Sequence, residues 1–566
     1  MDNAQLNTKV SVASDGLKRD VGFWGLVWAS EGSIIGSGWL FAGLIATEIA
    51  GPSALFSWLI ASGIVILLAL VHAELGGMFP VTGGTSRFPH YAFGSLAGAS
   101  FGWFAYLQAA SVAPIEVLAT IQYTSSASWA SSWYNGTTNT LSGAGILVAV
   151  ILMVAFVMVN LIGVRWLANS NSALTTWKVI IPIVAVIVFL LFRFHGSNFS
   201  RGGGFFMPGA TGGAHAILEA IPSAGIVFSL LGFEQAVQLG GEAKNPQHDL
   251  PRAVILAILV GAAIYILAQL AFIAALSPAT LAHYHTWSNL GKDPLLSASP
   301  FYTVAKVGGI IWLAWIFRVD AVVSPAGTGL IYLTSASRIS YGLSKNGYIP
   351  ESFESVTKKT KIPAFSVIVT SIIGLLFLLP FPSWSKLVGI VTGASVLMYA
   401  SAPLAMGALR KSHPQLARTY RLPAASFLTP LSFVLANYIV FWAGWQTYST
   451  LMFTLLLGYI LMAVSRAMNA NSHQPKIDWG AAGWLFSYFV GLGILSFLGT
   501  FGPGGIIGGV GPFATVLVGG DGRLPLWWDL VVVGLFSLGI YYWAIKKRLS
   551  NEEIDSYIGS VVVVTD

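Results

Sequence analysis

Apolar residues gather into fourteen long segments along the chain. They lie near 22–49, 53–79, 94–127, 143–163, 170–194, 217–240, 252–276, 302–335, 363–380, 384–408, 424–446, 448–466, 480–500 and 526–545. Most are apolar on every side rather than along one stripe, as expected of helices surrounded by lipid or by other apolar helices. A bilayer is crossed by ~20 residues of helix, and the longer segments leave room for tilt or a break. The longest connections are 195–216, 277–301, 336–362 and 501–525. The segments 424–446 and 448–466 are divided only around Thr447. The pattern predicts an all-α integral membrane protein of about 14 transmembrane helices.

Composition narrows the function classes. Of 566 residues, 55% are hydrophobic and 9% charged, and the mean hydropathy is +0.74. A soluble domain carries ~25% charge, so a water-soluble enzyme, a disordered scaffold and a coiled coil are excluded. The motif G-x-x-x-x-G-K-[ST] is absent and no connection could hold a nucleotide-binding domain, so ATP is not the energy source. No cysteine is present, which excludes disulfides and thiolate metal sites. No cofactor or metal is called for.

Charge sets the expected orientation. With Lys18 and Arg19 in the cytoplasm and the segments alternating, 21 of the 29 Lys and Arg fall in inside loops. That parity predicts both termini in the cytoplasm, and the expected location is the plasma membrane, the cell's inner membrane. The net charge of +7 then reflects cytoplasmic loops, not nucleic-acid binding. The first ~20 residues are polar and lack a cleavable signal pattern.

Two segments do not read as plain helices. In the first, Ser30-Glu31-Gly32-Ser33-Ile34-Ile35-Gly36-Ser37-Gly38 crowds glycines and hydroxyls at mid-membrane. Each Gly costs a helix ~1 kcal/mol against Ala. A break in lipid is tolerated only where it lines a cavity or is covered by protein. Gly36-Ser37-Gly38 therefore reads as an unwound joint whose free N–H groups attract a carboxylate, with close helix packing by small residues as the alternative. The sixth segment repeats the feature five segments later, in Ser223-Ala224-Gly225-Ile226-Val227-Phe228-Ser229-Leu230-Leu231-Gly232-Phe233-Glu234. Paired interruptions in two halves point to a transporter's central site, and the odd offset makes the halves inverted. Free carbonyls there would hold an ammonium group, so an amino acid zwitterion fits the two poles.

The same residues resemble those of the amino acid–polyamine–organocation (APC) transporter superfamily. The resemblance is carried by Gly36-Ser37-Gly38, by Glu74-Leu75 with Phe79-Pro80-Val81-Thr82-Gly83-Gly84, and by Phe228 to Glu234 followed by Gly241-Glu242-Ala243-Lys244-Asn245-Pro246. It continues through Ser337-Arg338, Tyr341 to Pro350, and Arg418 to Pro423. It implies a leucine-transporter-like five-plus-five inverted repeat with discontinuous helices 1 and 6, and secondary uptake of amino acids or related amines. Carried over by position, the substrate carboxylate would meet Gly36, Ser37 and Gly38. Its amino group would meet carbonyls near Ile35, Phe228, Ser229 and Leu230, with Gly232 completing the site. Trp39 stands where the family often has a smaller aliphatic residue, narrowing the pocket. The segments after 466 exceed the usual count for the family, so nothing is carried over to them.

A charge at mid-bilayer is a functional candidate by default. Lys178 lies about a third of the way along the fifth segment. Some proton-coupled APC members are similar, with a lysine where related carriers bind sodium. An ammonium mimics the ion when protonated and vacates the role when neutral. Lys178 is thus the first candidate for proton coupling, and a lysine snorkelling to the interface is the alternative. Arg318 must pair with a carboxylate, either from substrate or from Glu31 or Glu116. Asp320 could relay protons or serve a structural pairing. Glu31 could titrate or cap the joint. Ser324 and Thr328 are candidates for the ion-site region.

These features predict a secondary transporter importing an amino acid by proton symport with alternating access, and not an enzyme. Its partners are the amino acid, the proton and the bilayer. Rivals are an exchanger or sodium-coupled carrier of the same fold, and a channel or non-transporting nutrient sensor. The expected organisation is a tail over 1–20, the transport core over 21–410, two helices over 411–466, two more over 467–548 and a tail over 549–566.

Overall fold

The computed structural model describes residues 9–12, 19–136, 138, 140–162, 164–208, 212–358, 362–378, 384–501, 522–559 and 562–565. The expected N-terminal tail and the connection 501–525 lie largely outside them, as do residues 560, 561 and 566.

The first apolar segment forms two helices, α1 (Phe23–Ile34) and α2 (Gly38–Ala50). A tight bend at Gly51 leads into α3 (Ala54–Met78), then a wholly buried α4 (Gly84–Phe93) and the long α5 (Ser95–Thr124). Helices α6 (Gly143–Ile162) and α7 (Val164–Phe192) follow. The sixth segment is in three pieces, α8 (Gly213–Ser223), α9 (Ile226–Leu230) and α10 (Gln235–Gln238). After α11 (Pro246–Ala275) come three short helices, α12 (Pro278–Tyr284), α13 (Pro294–Ala298) and α14 (Pro300–Val307), and then α15 (Ile311–Lys345). The chain continues through α16 (Ala364–Phe377), α17 (Trp384–Ser412), α18 (Ala425–Trp442) and α19 (Gly444–Ala467). It ends with α20 (Trp479–Leu498), α21 (Leu526–Lys547) and α22 (Asn551–Gly559).

Eleven helical stretches are long and apolar enough to cross a membrane among the described residues. The gap from fourteen segments has three sources. Helices α2 and α3 run together as one 41-residue stretch, the broken sixth segment has no piece of sufficient length, and α16 has only 14 residues.

Two boundaries differ from the sequence expectation. The connection expected from 336 begins only after Lys345, because α15 continues. Arg338 holds that extra length inside the protein: its Nε donates to Glu242 at 2.9 Å, with both side chains buried. The division expected around Thr447 falls at Gly444, whose φ of +78° suits glycine.

Helices α1, α5, α7, α11 and α15 pack around one another, and α17 covers the far side of α5 and α3. Helix α2 lies against α8 and α9, and α1 lies against α10, so the two broken segments run antiparallel side by side. The broken segments bury polar residues at the breaks, whereas α6, α7, α19 and α20 carry the exposed Leu147, Ile151, Ile187, Leu191, Ile460 and Phe486. That inversion of the soluble pattern is what a bilayer solvent selects. Lys9–Val12 pairs antiparallel with Val562–Thr565, bringing the chain ends to one side.

Candidate functional site

The first break exposes two backbone poles. At its carbonyl pole, Lys178 from α7 is fully buried, and its Nζ donates to the carbonyl of Gly32 and, at 2.7 Å, to Thr328 Oγ1. Thr328 Oγ1 in turn donates to Gly32 O at 2.9 Å and also lies 3.3 Å from Ile35 O. Tyr265 Oη donates to Ile34 O at 2.7 Å. The last turn of α1 thus has its orphan carbonyls met by side chains, with a cation where the helix dipole favours one.

At the amide pole, Ser37 N–H donates to Glu116 Oε2 at 2.9 Å. Glu116 comes from α5, is fully buried, and its Oε1 has no hydrogen-bond partner among the described residues. A Cβ built on Gly36 would stand 2.7 Å from both Glu116 Oε1 and Thr328 Oγ1, so glycine is needed for these groups to reach the joint. The protein's own carboxylate therefore meets the amide pole that was expected to receive a substrate carboxylate, and its own ammonium meets the carbonyl pole of the same joint at Gly32. The placement of Glu116 was not legible in the sequence.

The second break is a pair of turns. Gly225, at φ +80°, separates α8 from α9, and Gly232, at φ +127°, lies between α9 and α10. Ser229 Oγ donates back to Gly225 O at 2.7 Å, and Phe228 O is taken by Leu231 N at 3.2 Å. Glu234 organises the second turn. Its Oε2 accepts from Gly232 N at 2.8 Å and Tyr399 Oη at 2.7 Å, and its Oε1 accepts from Tyr332 Oη at 3.2 Å and Gln108 Nε2 at 3.3 Å. The two breaks abut. A Cβ on Gly232 would lie 2.7 Å from Ile34 N, and one on Gly38 would fall inside the Ser229 side chain.

Between the breaks is a cavity of about 10 Å³, bounded by Ser33, Gly36, Gly38, Glu116, Phe228 and Thr328 among others. It has room for about one water and not for an amino acid.

Two sequence expectations are corrected. Trp39 does not narrow this cavity. Its Nε1 donates to Asp320 Oδ2 at 3.0 Å and its ring packs on Phe301 and Phe317, pointing away from the breaks. Arg318 does not pair with Glu31 or Glu116. Its guanidinium lies 4.3 Å from the Tyr302 ring and 5.2 Å from Trp315, with no carboxylate partner among the described residues. With i, i+2 spacing, Arg318 leaves the face that Asp320 buries, and an aromatic sandwich replaces the ion pair.

The other candidates divide between two clusters. Asp320 is held by Trp39, by Trp177 Nε1 at 2.9 Å and by Ser324 Oγ at 2.7 Å. Ser324 therefore belongs with Asp320, and Thr328 with Lys178. Glu31 is buried, and neither carboxyl oxygen is hydrogen-bonded among the described residues.

Abutment of the breaks makes a prediction. Gly38→Ala places a methyl 2.9 Å from Ser229 Cβ and 3.0 Å from its backbone Cα. Overpacking should destabilise the protein by ~1–3 kcal/mol. Thermal unfolding of the purified variant in detergent measures this. An unchanged melting temperature would mean that the two breaks do not abut as closely as Gly38 and Ser229 do here.

Comparison with known proteins adds a second line. A family profile described as amino acid permease matches residues 21–465. The glutamate/serine transporter AimA of Bacillus subtilis (strain 168) is 33% identical over 546 residues, covering 95% of each chain. The aspartate-proton symporter of the same organism is 34% identical over 550 residues, covering 95% of this chain and 98% of its own. The branched-chain amino acid permease BcaP, also from B. subtilis, is 24% identical over 485 residues, covering 81% of this chain and 95% of its own. Coverage of 95% requires the first two alignments to include most of the region beyond 466, where the family profile has ended.

Proposed function

This chain belongs to the amino acid permease family of the APC superfamily, and from that premise we propose that it imports an amino acid by proton symport with alternating access. It is a transporter and not an enzyme. The proposed architecture is the five-plus-five inverted repeat, with α1–α2 and α8–α10 as its discontinuous first and sixth members. The proposed count is fourteen crossings, which would put both termini on the cytoplasmic side, and the proposed location is the plasma membrane.

The observation that carries the reading is Lys178 on Gly32 O and Thr328 Oγ1. Oxygen ligands gathered at the negative end of a half-helix are where a coupling cation would bind. Here a titratable ammonium fills the place, which favours the proton over sodium. Protonated, Lys178 holds α1 to α7 and α15. Neutral, it releases the carbonyl pole, and the bundle is free to move. At the amide pole a substrate carboxylate would compete with Glu116 for the N–H of Ser37. Gly36, Gly38 and the α9 backbone from Phe228 to Leu230 would complete the grip once the cavity opens. Asp320 and Glu31 are further proton-holding candidates. The names of the two B. subtilis relatives make L-glutamate, L-aspartate and L-serine the first substrates to try.

Proteoliposomes with an acidic exterior test the proposal. One of these amino acids is expected to accumulate above its external concentration, and a protonophore is expected to collapse the gradient. Sodium-dependent accumulation without pH dependence would reject proton symport. Non-saturating flux, or none, would reject a carrier.

A further inference from the structure

Arg318 lies about two turns into α15, ~10 Å along the axis from the helix start at Ile311. Over this stretch α15 turns Ile311, Trp312, Trp315 and Val319 outwards, each more than half exposed. In a membrane protein such a face belongs to the bilayer, and a cation at its edge is costly unless its charge is answered. Tyr302 of α14 and Trp315 offer Arg318 aromatic faces, at 4.3 and 5.2 Å. A ring attracts the guanidinium but brings no negative charge to neutralise it. Arg318 is partly exposed. Its Nε is covered and without a partner among the described residues, which leaves the terminal nitrogens as the reachable donors.

Two further cations stand at the same place. Lys306, exposed in the last turn of α14, has its Nζ 5.8 Å from the centroid of the same Tyr302 ring. Arg193, just past the end of α7, lies over the turn between α14 and α15. A Cβ on Gly308 would be 3.2 Å from its Nε, and one on Gly309 would be 3.4 Å from its Nη2. None of the three makes an ion pair among the described residues. Like charges gathered without a carboxylate repel one another, and an anion among them relieves the repulsion. The surroundings say which kind of anion. Leu191 and Phe192, at the end of α7, are each 71% exposed, so bilayer-facing apolar surface flanks the charges on the α7 side as Trp312 and Trp315 flank them on α15. A soluble anion has no use for that surface, whereas a phosphodiester carrying acyl chains matches both parts. We propose that Arg193, Lys306 and Arg318 hold the phosphate of an anionic phospholipid whose chains lie along the exposed faces of α7 and α15. The arginine forks suit phosphate oxygens, and the lysine adds a point charge. Three cations with no acid among them favour a headgroup of net negative charge over a zwitterionic one.

The test reads binding without transport, so it does not depend on the substrate. The full-length protein, washed free of native lipid in a neutral detergent, is titrated with dioleoylphosphatidylglycerol or dioleoylphosphatidylcholine while its thermal unfolding is followed. A ligand of the folded state raises the melting temperature. Phosphatidylglycerol is expected to do so at concentrations about tenfold lower than phosphatidylcholine. Equal potency of the two lipids would overturn the site. Arg318→Gln should raise the half-effective phosphatidylglycerol concentration about tenfold, through loss of charge-assisted hydrogen bonds. A change within about twofold would overturn the assignment. Lys306→Gln, at an exposed position, should shift the titration in the same direction and decides the matter if Arg318→Gln fails to fold. Lys547→Gln removes an exposed charge from the end of α21 and should leave the titration unchanged. An equal rise there would replace the site by general charge attraction. Inorganic phosphate should give no stabilisation, and a shift matching that of phosphatidylglycerol would make the ligand a free anion and reject the lipid.

Discussion

Lys178→Ala is expected to abolish pH-driven accumulation of substrate while substrate-for-substrate exchange persists. The expectation follows from what the alanine removes and what it leaves. The ammonium bridges α7 to the end of α1 and to Thr328 on α15. Without it, Gly32 O still accepts from Thr328 Oγ1 at 2.9 Å, so no carbonyl at this point is orphaned. The helix end loses a cation but keeps a donor, and the fold should survive. What is lost is a titratable ammonium at the carbonyl pole. Uptake into proteoliposomes with and without a pH gradient, alongside counterflow, measures both halves. Accumulation that still follows the pH gradient in the variant would remove Lys178 from the coupling role.

The second large effect is on stability. Glu234→Ala is expected to destabilise the protein by on the order of 4 kcal/mol, because it strands several buried donors at once. The carboxylate receives Gly232 N, both tyrosine hydroxyls of Tyr332 and Tyr399, Gln108 Nε2 and Gln235 Nε2. Those donors come from α5, α15, α17 and the second break itself. Buried hydroxyls without acceptors cannot turn to water here, so each keeps its desolvation penalty. Glu234→Gln keeps one acceptor oxygen and should lose less. Thermal unfolding of the purified variants in detergent should rank parent, Gln and Ala in that order. A melting temperature for Glu234→Ala equal to the parent's would show that the second turn is held by something other than this carboxylate.

Parts of this site can be read directly from residue type. Gly36, Gly38, Gly225 and Gly232 stand out because glycine and serine interrupt apolar runs, and all four lie at breaks in the helices. Lys178 stands out because a lone cation in such a run has no cheap resting place. Glu116 was visible only as a buried acid, because nothing along the chain reveals that α5 passes beside Ser37. Trp384 gave no signal at all. A tryptophan opening an apolar segment reads as an interfacial anchor, and only packing turns it inward between the breaks. Arg318 implied a carboxylate from protein or from substrate; the aromatic faces of Tyr302 and Trp315 stand beside it, and neither Glu31 nor Glu116 does.

The order of residues alone determined that the chain lives in a bilayer, where its long helices lie, and at which two places the backbone lets go of its own hydrogen bonds. These follow from local chemistry: apolar length, glycine content and the energetic penalty of an unpaired polar group in hydrocarbon. Tertiary structure decided which side chains answer the freed groups. Lys178, Thr328 and Glu116 reach the first joint from three different helices, and Glu234 gathers donors from residues 108 to 399. Contacts of that kind depend on the distance between helices far apart in the chain, and sequence spacing carries no measure of that distance.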